Sequence, residues 1–113
     1  MPVLTSGRLG SKALVSGVYT RLFQVDANQG ELSCEIRLIN HDGANAASAR
    51  AYHCPANYIE GSVPSDEFSL FAKDSVIPAK EQLVDTGIAV GAGEQIIVFV
   101  TGGNCTAIAF GYA

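Results

Sequence analysis

The sequence contains no tryptophan, one methionine and two histidines, and Asp, Glu, Lys and Arg together make up only 16% of its 113 residues. Each scarcity excludes something. A metal centre needs three or four converging ligands. His41 and His53 are the only histidines, and the one set that suggests itself, His53, Cys54 and Glu60, has a generic spacing. No metal or other cofactor is expected. The seven Lys and Arg residues are scattered and the net charge is −4. Binding nucleic acid needs phosphate-neutralising clusters, so it is not expected. No apolar run approaches the ~20 residues of a membrane helix, so no membrane partner is expected. The opening residues, Met1-Pro-Val-Leu-Thr-Ser-Gly-Arg8, lack the basic-then-apolar order of a signal peptide, which points to synthesis in a cytoplasm.

Catalytic signatures are missing too. There is no Gly-x-Ser-x-Gly, phosphate loop or dinucleotide fingerprint. The carboxylate pairs Glu31/Glu35 and Asp66-Glu67 read as a strand's solvent face and a loop, not as a cleft that separates two pKa values. No enzymatic activity is expected. Cys34, Cys54 and Cys105 are odd in number and none forms a Cys-x-x-Cys pair, so they read as small buried thiols. A Cys34–Cys54 bridge requires neighbouring strands, and an intracellular origin argues against it. Asn104-Cys-Thr106 matches a glycosylation acceptor but sits at a strand start without a secretory signal.

What the chain does have is apolar surface, 48% of its residues. A chain of this length buries roughly two-thirds of the surface it exposes when unfolded, enough for one domain. So low a charge fraction means either a surface of Ser, Thr, Asn and Gly or one partly covered by another chain, and the second reading is preferred.

The most apolar stretch is residues 94–113. Gln-Ile-Ile-Val-Phe-Val-Thr101 and Cys-Thr-Ala-Ile-Ala-Phe-Gly-Tyr112 flank Gly102-Gly103, which predicts a central or near-central hairpin. Ile96, Val98 and Val100 face one way, and Ile97 and Phe99 the other. In the second strand Cys105, Ala107, Ala109 and Gly111 make a small, flat face, while Ile108, Phe110 and Tyr112 fill the opposite one. The face not packed on the core is too apolar for open water. It is expected to be covered, by the N-terminal segment or by a neighbouring subunit.

Upstream, residues 1–12 read as an arm or irregular edge, followed by a single domain over 13–113. A first strand region spans 13–25. Residues 31–40 alternate strictly, with Leu32, Cys34, Ile36 and Leu38 facing a core and Glu31, Ser33, Glu35 and Arg37 facing water. Asp42-Gly43 then predicts a hairpin to an Ala-rich return strand over 46–55, with Arg50 opposite Glu35. Residues 57–69 form a surface loop. A strand near Phe71, a turn over 78–81, a short strand over 82–86 and a glycine-rich turn over 87–93 complete the chain. Seven or eight short antiparallel strands without a helical period predict an all-β sandwich or jelly roll. Tyr19, Tyr52, Tyr58 and Tyr112 are aromatic enough for a sugar platform, but packing is the preferred use.

The run Ile77-Pro-Ala-Lys-Glu-Gln-Leu-Val-Asp-Thr-Gly-Ile-Ala-Val-Gly-Ala-Gly-Glu-Gln-Ile-Ile-Val98 resembles a pattern in small virion proteins of tailed bacteriophages. A Pro-Ala turn leads to Leu-x-x-Thr-Gly-Ile, an Ala-Gly-Glu turn and an apolar strand. The likeness extends over roughly residues 18–112. It implies a β-sandwich decoration (cement) protein of the head, or a neck, tail or fibre component that binds a receptor or glycan. It also implies residence in the virion, contacts with phage structural proteins such as the major capsid protein, and a dimer or trimer. No catalytic residues come with it. The residues expected at interfaces are Val3, Leu4, Tyr58, Ile59, Ile97, Phe99, Phe110 and Tyr112.

Overall fold

A computed structural model describes residues 7–112. Among them are eight strands: β1 Gly7–Ala13, β2 Thr20–Gln24, β3 Leu32–Asn40, β4 Ala47–Cys54, β5 Ser75–Ile77, β6 Gln82–Val90, β7 Gln95–Thr101 and β8 Cys105–Tyr112, with one 3-10 turn at Asp66–Phe68. They form two four-stranded sheets, ordered β1-β8-β3-β6 (sheet I) and β2-β7-β4-β5 (sheet II). Every pairing is antiparallel. This order makes the sandwich a jelly roll, in which all connections but β4–β5 cross from one sheet to the other.

The core lies between the sheets. Strict alternation in β3 delivers Leu32, Cys34, Ile36 and Leu38 to it, at most 4% exposed. Ala47, Ala49 and Ala51 of β4 and Ala107 and Ala109 of β8 are also interior, beside the larger Ile77, Val90, Ile96, Val98 and Val100. All three cysteines are buried and free. Burial, and secondarily the charge of Asp85, pushes the Cys34 thiol up to about 11, and burial pushes that of Cys54 to about 11. Such thiols are poor nucleophiles.

The expected terminal hairpin does not form. β7 is interior to sheet II and β8 interior to sheet I, so both are central, as expected, but they are not paired. Gly102 and Gly103 do adopt positive φ, 75° and 66°. They use it to carry the chain between sheets. The expected β3–β4 hairpin fails likewise. β3 lies between β8 and β6, and β4 between β7 and β5. Alternation specifies which side chains face the interior, and both sheets present the same kind of interior face, so turn composition alone does not separate a hairpin from a crossover. Arg50 is accordingly far from Glu35. It pairs with Asp74, and Glu35 pairs with Arg37 two residues along its own strand.

Four segments differ in extent or position. The expected strand over 13–25 is two strands with a crossing turn between them, where Gly17 has φ 82° and donates to the Val100 carbonyl. The expected arm over 1–12 overlaps β1, so the 12/13 division falls within a strand; β1 is an edge strand with a bulge between Arg8 and Gly10. β6 continues to Val90 because Thr86 and Gly87 form a bulge opposite Glu35, leaving only residues 91–94 for the turn. The strand expected near Phe71 is β5, four residues further on.

At the rim of the sandwich β1 runs against β2. A Cβ at Gly10 would stand 2.4 Å from the Leu22 carbonyl oxygen, a backbone atom that cannot swing away. Gly10→Ala is expected to lose about 1–3 kcal/mol by overpacking. Gly30→Ala, where a Cβ meets nothing within 4 Å, should stay within about 0.5 kcal/mol of the wild type. Urea unfolding midpoints measure both, and equal midpoints would refute the steric account.

Candidate functional site

Crossing connections place the loops at two ends. The β1–β2, β3–β4, β5–β6 and β7–β8 connections meet at one, and the β2–β3, β4–β5 and β6–β7 connections at the other. Each end is fastened by one amide side chain. Asn40 and Gln95 are the two buried polar residues among those described, each 0% exposed. Asn40 Nδ2 donates to the carbonyls of Asn45 (2.9 Å), Ile77 (3.1 Å) and Pro78 (3.4 Å), and its Oδ1 accepts from the backbone N–H of Asp42 (3.1 Å) and Asn104 (3.2 Å). Three connections are thereby tied together. Gln95 Nε2 donates to the carbonyls of Pro55 (3.1 Å), Ala56 (3.3 Å) and Tyr58 (2.8 Å), while Oε1 accepts from Arg21 Nε (2.7 Å). Sequence reasoning passed over both. The signal for Asn40 was its register, since it continues the inward series of Leu32, Cys34, Ile36 and Leu38.

The outer faces of the two sheets differ. On sheet II, Tyr19, Tyr52, Cys54 and Ile97 form a second buried cluster, packed by Tyr58, Phe68 and Phe99. Tyr19 stacks on Phe99 with ring centroids 4.3 Å apart. The Arg50 guanidinium lies 5.0 Å from the Phe99 centroid, donates from Nη1 to Tyr19 Oη at 2.9 Å, and grips Asp74 at 2.8 and 3.3 Å. That grip lowers the Asp74 carboxyl below its ordinary value. The second face of β7 is therefore covered, as expected, and among the described residues the cover comes from the chain's own residues 19, 58 and 68. Ile97 is fully buried and Phe99 and Tyr58 are half-buried, so these three expected interface residues lie within the chain's own packing. Tyr19 and Tyr52 are buried as well, and no sugar platform is assembled from them and Tyr58.

Over the outer face of sheet I the described residues form no apolar cluster. Cross-strand neighbours there are Arg8, Phe110 and Glu35, then Ser11, Ile108, Arg37 and Val84, then Ala13, Thr106, Ile39 and Gln82. Ile39, Ile108 and Phe110 are half-buried, and Val84 is 42% exposed. Arg37 bonds Glu35 at 2.7 Å and lies 5.5 Å from the Phe110 centroid. Phe110, one of the expected interface residues, is half-buried on this face. Ile59 is 74% exposed in the β4–β5 loop. Val3 and Leu4 lie outside the described residues, and of Tyr112 only the backbone is described, paired with Ser33.

The polar residues considered for chemistry are dispersed. His41 contacts Thr106 Oγ1 at 2.9 Å, and His53 contacts Glu94 Oε1 at 2.9 Å. The Gly91 N–H, then His53, hold the Glu94 carboxyl below its ordinary value. Asp66 pairs with Lys73. Among the described residues there is no pocket and no group of three His, Cys, Asp or Glu placed to hold a metal. None of the protein-family models, curated proteins or solved structures compared with this chain matches it.

Proposed function

We propose that the chain is a structural protein of a tailed-bacteriophage virion, a decoration subunit that binds across capsid subunits and stabilises the head. The jelly roll itself does not decide this, because capsid proteins, lectins and cupins share it. The supporting observation is the outer face of sheet I, where Ile39, Val84, Ile108 and Phe110 lie beside small and polar neighbours. A face that mixes apolar side chains with polar and paired charged ones suits contact with another protein. The likeness of residues 77–98 to phage virion proteins supports the phage setting. On this reading the chain is made in the host cytoplasm, acts as a dimer or trimer and has the major capsid protein as partner. Each contact is modest. Repetition over a lattice and mass action favouring the assembled shell supply the stabilisation.

The purified chain is expected to co-sediment with assembled shells that lack it, but not with free capsid subunits, and to raise the shells' unfolding temperature. Equal binding to shells and free subunits would sink the decoration role.

A further inference from the structure

Ile59 and Val63 are the most exposed large apolar residues described, each 74% exposed. Single exposed aliphatics are ordinary. What sets this pair apart is the loop that carries it, which is fastened from several sides. Gln95 Nε2 holds the Tyr58 carbonyl at 2.8 Å. Glu60 Oε2 accepts the Arg21 backbone N–H at 2.8 Å, and its other oxygen lies 3.7 Å from the Arg21 guanidinium. The Ser62 N–H closes a turn on the Ile59 carbonyl at 3.1 Å, and the Tyr58 hydroxyl donates to the Ser62 carbonyl. Gly61 supplies φ 96°, which an L side chain rarely adopts. The two aliphatics are thus presented with the ordering entropy of the loop already spent, which is the condition for tight docking.

The surroundings indicate the partner. The β2–β3 and β6–β7 connections lie side by side at this end through the Val25–Glu94 and Gly93–Val25 backbone bonds, and they add Asp26, Glu31 and Glu94 to Glu60. Glu60 is held by Arg21 and Glu94 by His53, so the exposed Asp26 and Glu31 are what give this end its acidic character. An acidic end repels anionic lipid, and among the described residues the one Lys or Arg bonded to this loop is Arg21, paired with Glu60, so the apolar knobs have no basic cluster of the kind membrane-docking segments use. We propose that this loop end docks into an apolar pocket on a protein surface flanked by Lys or Arg. Resting on the decoration reading, it assigns that pocket to the assembled shell. It also separates the docking loop from the sheet I face, so one subunit offers two distinct contact surfaces.

The test compares the wild type with Ile59→Ser/Val63→Ser, using shells lacking the chain and, in parallel, vesicles of equimolar phosphatidylcholine and phosphatidylglycerol. Both side chains are mainly in water, so the variant should melt with the wild type. Its shell affinity is expected to fall about 100-fold, the loss of two buried aliphatic contacts. Wild type and variant binding shells alike would overturn the docking loop and leave the decoration role standing. A wild type that binds no shell would overturn both. Binding to vesicles that the double substitution abolishes would replace the protein pocket with a lipid surface.

Discussion

Asn40→Leu is expected to destabilise the fold by about 3–5 kcal/mol. Leucine matches the side chain's shape but makes none of its five hydrogen bonds. The carbonyls of Asn45, Ile77 and Pro78 and the N–H groups of Asp42 and Asn104 lose their side-chain partner together. An orphaned buried polar group costs about 1–3 kcal/mol. The sum stays below five such penalties because these groups belong to surface connections that water reaches in part. For a domain of this size the loss corresponds to a fall in Tm of more than about 10 °C. Asn40→Asp separates hydrogen bonding from packing. The carboxylate still accepts from Asp42 and Asn104 but turns an acceptor toward three carbonyls. Burial beside those oxygens raises the folded pKa of that carboxyl above the unfolded value of about 3.9. Stability of that variant is then fullest below the unfolded pKa and is lost as pH rises through the folded one. Its deficit against wild type should therefore narrow from pH 7 toward pH 4. Urea unfolding at both pH values measures this. A Leu variant within about 1 kcal/mol of wild type would show that the clamp is incidental.

How far the fold could be read depended on where its information resides. The register of β3 was legible because alternation is a local property, and Leu32 to Leu38 are buried as the pattern required. The apolar 94–113 stretch was legible as central for the same reason. Which strand pairs with which is nonlocal. Gly102-Gly103 and Asp42-Gly43 have hairpin chemistry, and Asp42 Oδ1 does cap the N–H groups of Ala44 and Asn45 at 2.8 and 2.9 Å. Both turns nevertheless connect opposite sheets. At the candidate interfaces the same division holds. That Ile97 and Phe99 would need cover followed from composition. That Tyr19, Tyr58 and Phe68 supply it depends on how the β4–β5 segment folds back, which no spacing encodes. Phe110 and Ile59 remained accessible because nothing in that segment reaches over sheet I or past the Glu60 latch.

Gln95→Leu is expected to destabilise by about 3–4 kcal/mol, and its effect should differ in kind from that of Asn40→Leu. The substitution frees the carbonyls of Pro55, Ala56 and Tyr58 and the Arg21 Nε–H. These belong to one loop and its neighbour, so the damage has a local outlet: residues 55–63 detach while the two sheets persist. Hydrogen exchange should accelerate at the Tyr58 and Ser62 amides, whose acceptors are within that loop, before it does at β3 or β8. Gln95→Glu should lose about as much as Gln95→Leu, because one carboxylate oxygen keeps Arg21 where the amide oxygen stood but the other is turned toward the three carbonyls in place of their donor. Asn40 and Gln95 fasten opposite ends and share no partner, so the two Leu substitutions should add to within about 0.5 kcal/mol. If the loop end docks as proposed, Gln95→Leu should also weaken binding to shells although Ile59 and Val63 are unchanged, because a detached loop must be ordered again at the moment of contact. Undiminished shell binding by a Gln95→Leu chain with demonstrably faster exchange over 55–63 would mean that the loop's fixed shape serves the fold and not the contact.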